Sequence, residues 1–132
     1  MSQCARWDRC VSLRGIEVAE FAATYLSESD RRVVLVGGAG FDPRSTQIAE
    51  LLSRYVKGLG AALIREERPG NRHAVLRSRA DANAERMKEL VSECEFPVVS
   101  VFASDGAVIG AREVAKLIAA RPWDQVTDVV VD

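Results

Sequence analysis

The chain has no long hydrophobic run, a single histidine, only three cysteines and almost no net charge, and each shortage removes a class of function. The longest strongly apolar stretch, Val33–Val36 leading into Gly37-Gly38-Ala39-Gly40-Phe41, is too short to span a bilayer. No apolar stretch follows Arg6, Asp8, Arg9 and Arg14, so no signal peptide is expected. Cys4, Cys10 and Cys94 make an odd count, which without an export signal implies reduced thiols and a cytoplasmic location. Zinc needs clustered Cys or His, and His73 stands by itself, so no metal site is expected. Basic and acidic residues number 18 and 19 and are interspersed. Nucleic acid and anionic membranes both need concentrated Lys and Arg, so neither is an expected partner.

What is present suits a folded globular protein. The 132 residues amount to one domain, and apolar and charged fractions of 48% and 28% argue against disorder. Residues 1–15 are polar and uneven and read as an N-terminal arm; residues 16–132 read as the domain.

Hydrophobic spacing predicts the elements. Val18, Phe21, Ala22, Tyr25 and Leu26 recur at helical spacing over Ile16–Leu26. Val33-Val34-Leu35-Val36 is β-branched, unalternating and closed by glycine, as in a strand buried on both faces. Ile48, Leu51, Leu52, Tyr55 and Val56 form the clearest helical stripe, ended by Gly58 and Gly60. Ala61–Ile64 is a second short strand, followed by the charged Arg65-Glu66-Glu67-Arg68 and the turn pair Pro69-Gly70. Residues 71–77 are ambiguous. Ser78 or Asp81 can cap a third helix, with Ala84, Met87, Leu90, Val91 and Cys94 on its apolar face. Val98–Phe102 is a strand, Ser104-Asp105-Gly106 a turn, and Val114, Leu117 and Ile118 mark a fourth helix that stops before Pro122. Val129–Val131 reads as a fourth buried strand.

Strands alternating with helices imply right-handed crossovers and a parallel sheet. The predicted fold is therefore a three-layer, Rossmann-like α/β domain with a mainly parallel sheet of about four strands. Asp132 closes a strand that reads as interior, where a covering helix normally follows. Either this strand is an unusual terminus or the 132 residues are one piece of a longer protein. The expectation is the second, with further chain or a partner subunit covering the last strand.

One segment is built like a ligand-binding turn. Gly37, Gly38 and Gly40 join the first strand to the Ile48–Val56 helix, and glycine there permits positive φ and close backbone approach. A helix start supplies free N–H groups and partial positive charge. The segment resembles the Rossmann dinucleotide fingerprint, with Gly38-Ala39-Gly40 as its first two glycines and Pro43 at the third. The resemblance implies a bound NAD or another nucleotide, with Glu66 at the end of the second strand on a ribose hydroxyl. Glu66 and Glu67 lie somewhat farther along than the usual spacing of about 20 residues. Arg65 beside them would instead favour a 2′-phosphate. Gly38-Ala39-Gly40-Phe41 is similar to the glycine-alanine-glycine loop of sirtuin-like NAD-consuming proteins, with Asp42 where those carry serine. Gly37-Gly38 with Asp42 is similar to the ATP-pyrophosphatase loop, with the aspartate two residues late. The string through Arg44 also resembles the start of Rossmann-like domains in large bacterial proteins of uncertain function, defence among the candidates.

Asp42-Pro43 complicates a phosphate cradle, because Asp42 at the N-cap satisfies the same N–H groups and its charge repels an anion. Arg44 and Ser45 in the first turn can compensate, or Asp42 can bind ribose hydroxyls, an amine or hydrated Mg²⁺. The alternative is that the glycines make a tight turn and Asp42 only caps it. Asp128 and Asp132 flank the last strand, with Asp132 near the glycine turn if the strands are neighbours. Arg72, His73, Arg77 and Arg79 make a local basic patch, read as a solvated loop. Trp7 and Trp123 fall outside the regular elements and are candidates to cover a core edge or a subunit contact. The functional expectation is a nucleotide- or nucleotide-cofactor-binding domain using Gly37–Ser45, as the N-terminal part of a larger enzyme. The alternative is a non-catalytic sensor or assembly module in which the turn is structural. No residue is assigned a catalytic role.

Overall fold

The computed structural model describes residues 10–67 and 74–132. Cys4, Trp7, most of the expected arm, the Pro69-Gly70 turn, Arg72 and His73 lie outside the described residues.

β1 (Val33–Gly38) is the spine of the sheet. Val33, Val34, Leu35 and Val36 are all buried, as expected of a strand with elements on both faces. It pairs in parallel with β2 (Leu59–Glu67) on one side and with β5 (Asp128–Val131) on the other. Beyond β2 run β3 (Glu93–Glu95) and β4 (Val98–Ser100), two pieces of one outer strand interrupted at Phe96-Pro97. Pro97 has no N–H for the ladder, yet its carbonyl accepts from Arg65 N at 2.9 Å, so register survives the break. All four named pairings are parallel, in the spatial order β3/β4, β2, β1, β5. This is a three-layer, Rossmann-like α/β fold.

Right-handed crossovers fix the helical layers. α1 (Ile16–Phe21) runs on as a π-helical turn over Ala22–Leu26, so the first predicted helix has its expected extent. α2 (Gln47–Tyr55) and α3 (Ala74–Leu90) carry the chain outward from β1 and share one face of the sheet. There Leu26, Leu52 and Met87 pack on Val33, Leu35, Ala61 and Leu63. α4 (Gly110–Ala120) carries the chain back to the far side of β1 and is, among the described residues, the helix of the opposite face. It has no buried residue, and a hollow of about 400 Å³ lies between it and Val99 and Val101.

Several boundaries differ from the sequence reading. β2 does not stop at Ile64 but continues through Arg65, Glu66 and Glu67, which pair with Val98, Val99 and Ser100. α3 starts at Ala74, so Ser78 and Asp81 lie inside it and cap nothing. Cys94 sits in β3, opposite Ala61, and not on a helix face. Gly60 is a residue of β2, and the helix before it already ends at Tyr55. β5 is an edge strand among the described residues, not a buried one. Val130 packs on the main core, while Val129 and Val131 point the other way and are 50% and 77% exposed.

Candidate functional site

The site is defined by how far each strand runs. In the parallel register Gly38 lies opposite Ile64, and Ala39 N makes a last bond to the Ile64 carbonyl at 2.8 Å. β1 then turns away while β2 overhangs it by three residues, Arg65 to Glu67, which pair with β4. On its other flank β1 ends beside Asp132, whose N–H donates to the Val36 carbonyl at 3.0 Å. α2 leaves over one face and the chain reaches β5 from α4 on the other, so the layers part at the carboxyl end of β1. A topological switch point opens a crevice in this way.

A cavity of about 1410 Å³ occupies that position, above the roughly 300–1,000 Å³ of most small-molecule sites. Gly37 to Phe41 form one wall and Ile64 to Glu67 another. Leu76, Arg77 and Ala80 of α3 close one side, and Val114 and Ile118 of α4 the other. Phe102 and Ser104 come from the segment after β4, where the Asp105-Gly106 turn is fixed by Gly106 at φ 84° and by Asp105 Oδ1 accepting from Ala107 N at 3.0 Å.

Of the residues singled out in the sequence, Gly37, Gly38, Gly40 and Glu66 line this cavity; Asp42, Arg44 and Ser45 stand outside its lining. Asp42 caps the helix start: its backbone is extended, and its Oδ1 accepts from Arg44 N at 2.8 Å. Arg44 folds back to give the same carboxylate two further bonds, from Nε at 3.1 Å and Nη2 at 3.0 Å. This pairing, with the capping bond, holds the Asp42 carboxyl down to about 2. Ser45 N donates to the Asp42 carbonyl at 3.0 Å. Pro43 follows at the first helical position, in a 3₁₀ turn over Pro43–Thr46 that leads into α2.

Of the two uses the sequence suggested for these glycines, positive φ is not one that the backbone makes. None of Gly37, Gly38 and Gly40 has positive φ. Gly37 is the crowded one, since a Cβ there would lie 3.2 Å from the Asp132 carbonyl oxygen and that backbone would have to give by a few tenths of an ångström. At Gly38 a Cβ would meet nothing within 4 Å, and at Gly40 only Ser45 Oγ at 3.8 Å. The fold itself therefore does not demand glycine at 38 or 40.

Asn83 of α3 is the residue the sequence reading missed. Its Nδ2 donates to the Gly40 carbonyl at 2.8 Å and to the Asp42 carbonyl at 2.9 Å, pinning the turn to α3. A second tie runs from Arg65 Nη2 to Asp81 Oδ1 at 2.6 Å, joining the overhang of β2 to the same helix. The signal for Asn83 was available: it lies four residues before buried Met87, an amide in the stripe that faces the core.

No group of His, Cys, Asp and Glu able to hold a metal occurs among the described residues, and no described helix is long and apolar enough to cross a membrane. The arrangement offers an open apolar crevice with carboxylates along its lining and exposed backbone at Gly38. No family model matches the chain, and no curated protein or solved structure matches it either.

Proposed function

We propose that the chain is a nucleotide-binding Rossmann-like domain that holds a nucleotide or nucleotide-derived cofactor in the crevice over Gly37–Phe41, as part of a larger enzyme. The observation that carries this reading is the open space above Gly38. Glycine there answers no strain and no crowding within the protein. It leaves bare backbone facing a cavity at the switch point of a parallel sheet, the place where such folds accept ligands. The ligand lies over the turn itself, and the start of α2 contributes little, because Asp42 and Arg44 already occupy it.

The test is a thermal-shift panel of NAD, NADP, ATP, S-adenosylmethionine and cyclic nucleotides. A true ligand at about 100 times its Kd adds about 2.7 kcal/mol of stability. Gly38→Val, which places a branched side chain into open space, keeps the protein folded and removes the shift. A panel without any shift overturns the reading.

A second reading is favoured by the bonds of Asn83 and Asp42, which account for the shape of the turn without any ligand. In it the domain is a non-catalytic sensor or assembly module. It predicts no shift across the panel.

A further inference from the structure

Building on that reading, we propose that the cavity takes a nucleoside through its base and ribose, and that a 5′-phosphate adds nothing to binding. Three observations point the same way.

The usual seat of a phosphate is filled. Arg44 N is held by the Asp42 carboxylate at 2.8 Å and Ser45 N by the Asp42 carbonyl at 3.0 Å. The Arg44 guanidinium, which would otherwise reach an anion, is closed onto the same carboxylate through two nitrogens.

Among the described residues, the crevice carries more carboxylates than guanidinium groups. Glu66, Glu67 and Asp132 line it against Arg65 and Arg77. Arg65 is already bonded to Asp81 at 2.6 Å. Ionised carboxylates repel phosphate but accept hydrogen bonds from hydroxyls, and a ribose diol offers two.

The aromatic residues are placed for a base. Phe41 and Phe102 both line the cavity and remain 50% and 42% exposed. Of the other two phenylalanines, Phe21 is stacked on Tyr25, while Phe96 also lines the cavity but packs against the core with Lys88 over its ring. Every base has a π-face, and one stacked on an exposed ring gains about 10-fold to 100-fold in affinity.

The experiment is calorimetric titration of the full chain with adenosine, guanosine, cytidine and uridine, and with their 5′-mono- and triphosphates at one salt concentration. The expected result is that at least one nucleoside binds and that its phosphates bind within about threefold of it. Phe41→Ala and Phe102→Ala each weaken that binding about 10-fold or more while the melting temperature holds. A monophosphate binding tenfold or more tighter than its nucleoside, with the gain lost in Arg77→Ala, overturns the inference and leaves the nucleotide-binding reading standing. Unchanged affinity in both phenylalanine variants overturns the placement of the base. If no compound in the series binds, the inference falls, and the nucleotide-binding reading falls with it only when the NAD, NADP, S-adenosylmethionine and cyclic-nucleotide arms of the thermal-shift panel are also flat.

Discussion

The side-chain amide of Asn83 donates to the carbonyl of Gly40, 2.8 Å away and 43 positions earlier in the chain. That bond and its companion to the Asp42 carbonyl hold the glycine turn in place from α3. Each such bond contributes about 0.5–1.5 kcal/mol net, so Asn83→Ala is expected to cost about 1–3 kcal/mol in urea unfolding. Asn83→Asp should cost more, because a carboxylate would then face two carbonyl oxygens with no proton between them. Full stability in both variants would mean that the turn stands without α3.

Glycine substitutions should sort by space. Gly38→Ala puts a methyl group into open surroundings at negative φ and restricts the unfolded chain, a change that stabilises by about 0.4–1 kcal/mol. At Gly58 the same methyl would sit 2.8 Å from the Arg31 carbonyl oxygen, a backbone atom that cannot step aside. Gly58→Ala is therefore destabilising, by about 1–3 kcal/mol as overpacking usually costs. Thermal melts of the two variants should move in opposite directions.

The Asp42 cap sets an acid limit. Its carboxyl is depressed to about 2 by the Arg44 side chain first and the Arg44 N–H second. A folded value below the unfolded one means that the stabilisation is complete above the unfolded value, near 4, and is lost as pH falls from about 4 to about 2. Asp42→Asn keeps an acceptor for Arg44 N but has no proton to gain. The melting temperature of the wild type minus that of Asp42→Asn should be constant above pH 5 and shrink below pH 4. A difference that stays flat to pH 2 would remove the ion pair from the account.

Thiol chemistry should separate two cysteines. Cys10 is exposed, whereas burial pushes the Cys94 thiol up to about 11. The thiolate is the nucleophile, so at pH 8 an aromatic disulfide reagent should label Cys10 quickly and Cys94 far more slowly until the protein is unfolded. Equal rates in the folded protein of a Cys4→Ser background would show β3 to be open.

The core should behave conventionally. Leu35 and Leu63 are each 2% exposed on adjacent strands, and truncating either to alanine should cost about 2–5 kcal/mol. A smaller loss in chemical denaturation would indicate that α2 and α3 collapse into the space.

What the sequence made legible follows how strongly burial shaped each segment. β1 and α2 are enclosed or strongly two-faced, and their residues read accordingly. β2 was cut short because Arg65, Glu66 and Glu67 look like a loop; they are strand residues that overhang the crevice, where one edge and much of the surface meet solvent. β3 has three residues, two of them glutamates, too few for any period to register. β5 misled in the other direction. Three valines in a row suggest burial on both faces, yet among the described residues the strand occupies an edge and shows two of the three to water. At the site, the Asp42-Pro43 helix start stands as read, with Asp42 at the N-cap, whereas the glycines need no positive φ. Of the three glycines only Gly37 is crowded, and Asp42 is consumed by Arg44, a pairing between near neighbours that composition does not announce. Asn83 was legible as an amide in the core-facing stripe of α3, but its partners, about forty positions earlier, were not.

The two sides of the sheet are unequal, and that inequality carries over into motion. Three helical segments are bolted through one core to the inner strands, while α4 rests over a hollow without a single fully enclosed side chain. Local opening starts where enclosure is least. Backbone amides of β1 should exchange with deuterium slowest and those of α4 and the outer edge of β5 fastest. The crevice has one bank of each kind, so a molecule seated in it would brace the loose bank against the firm one.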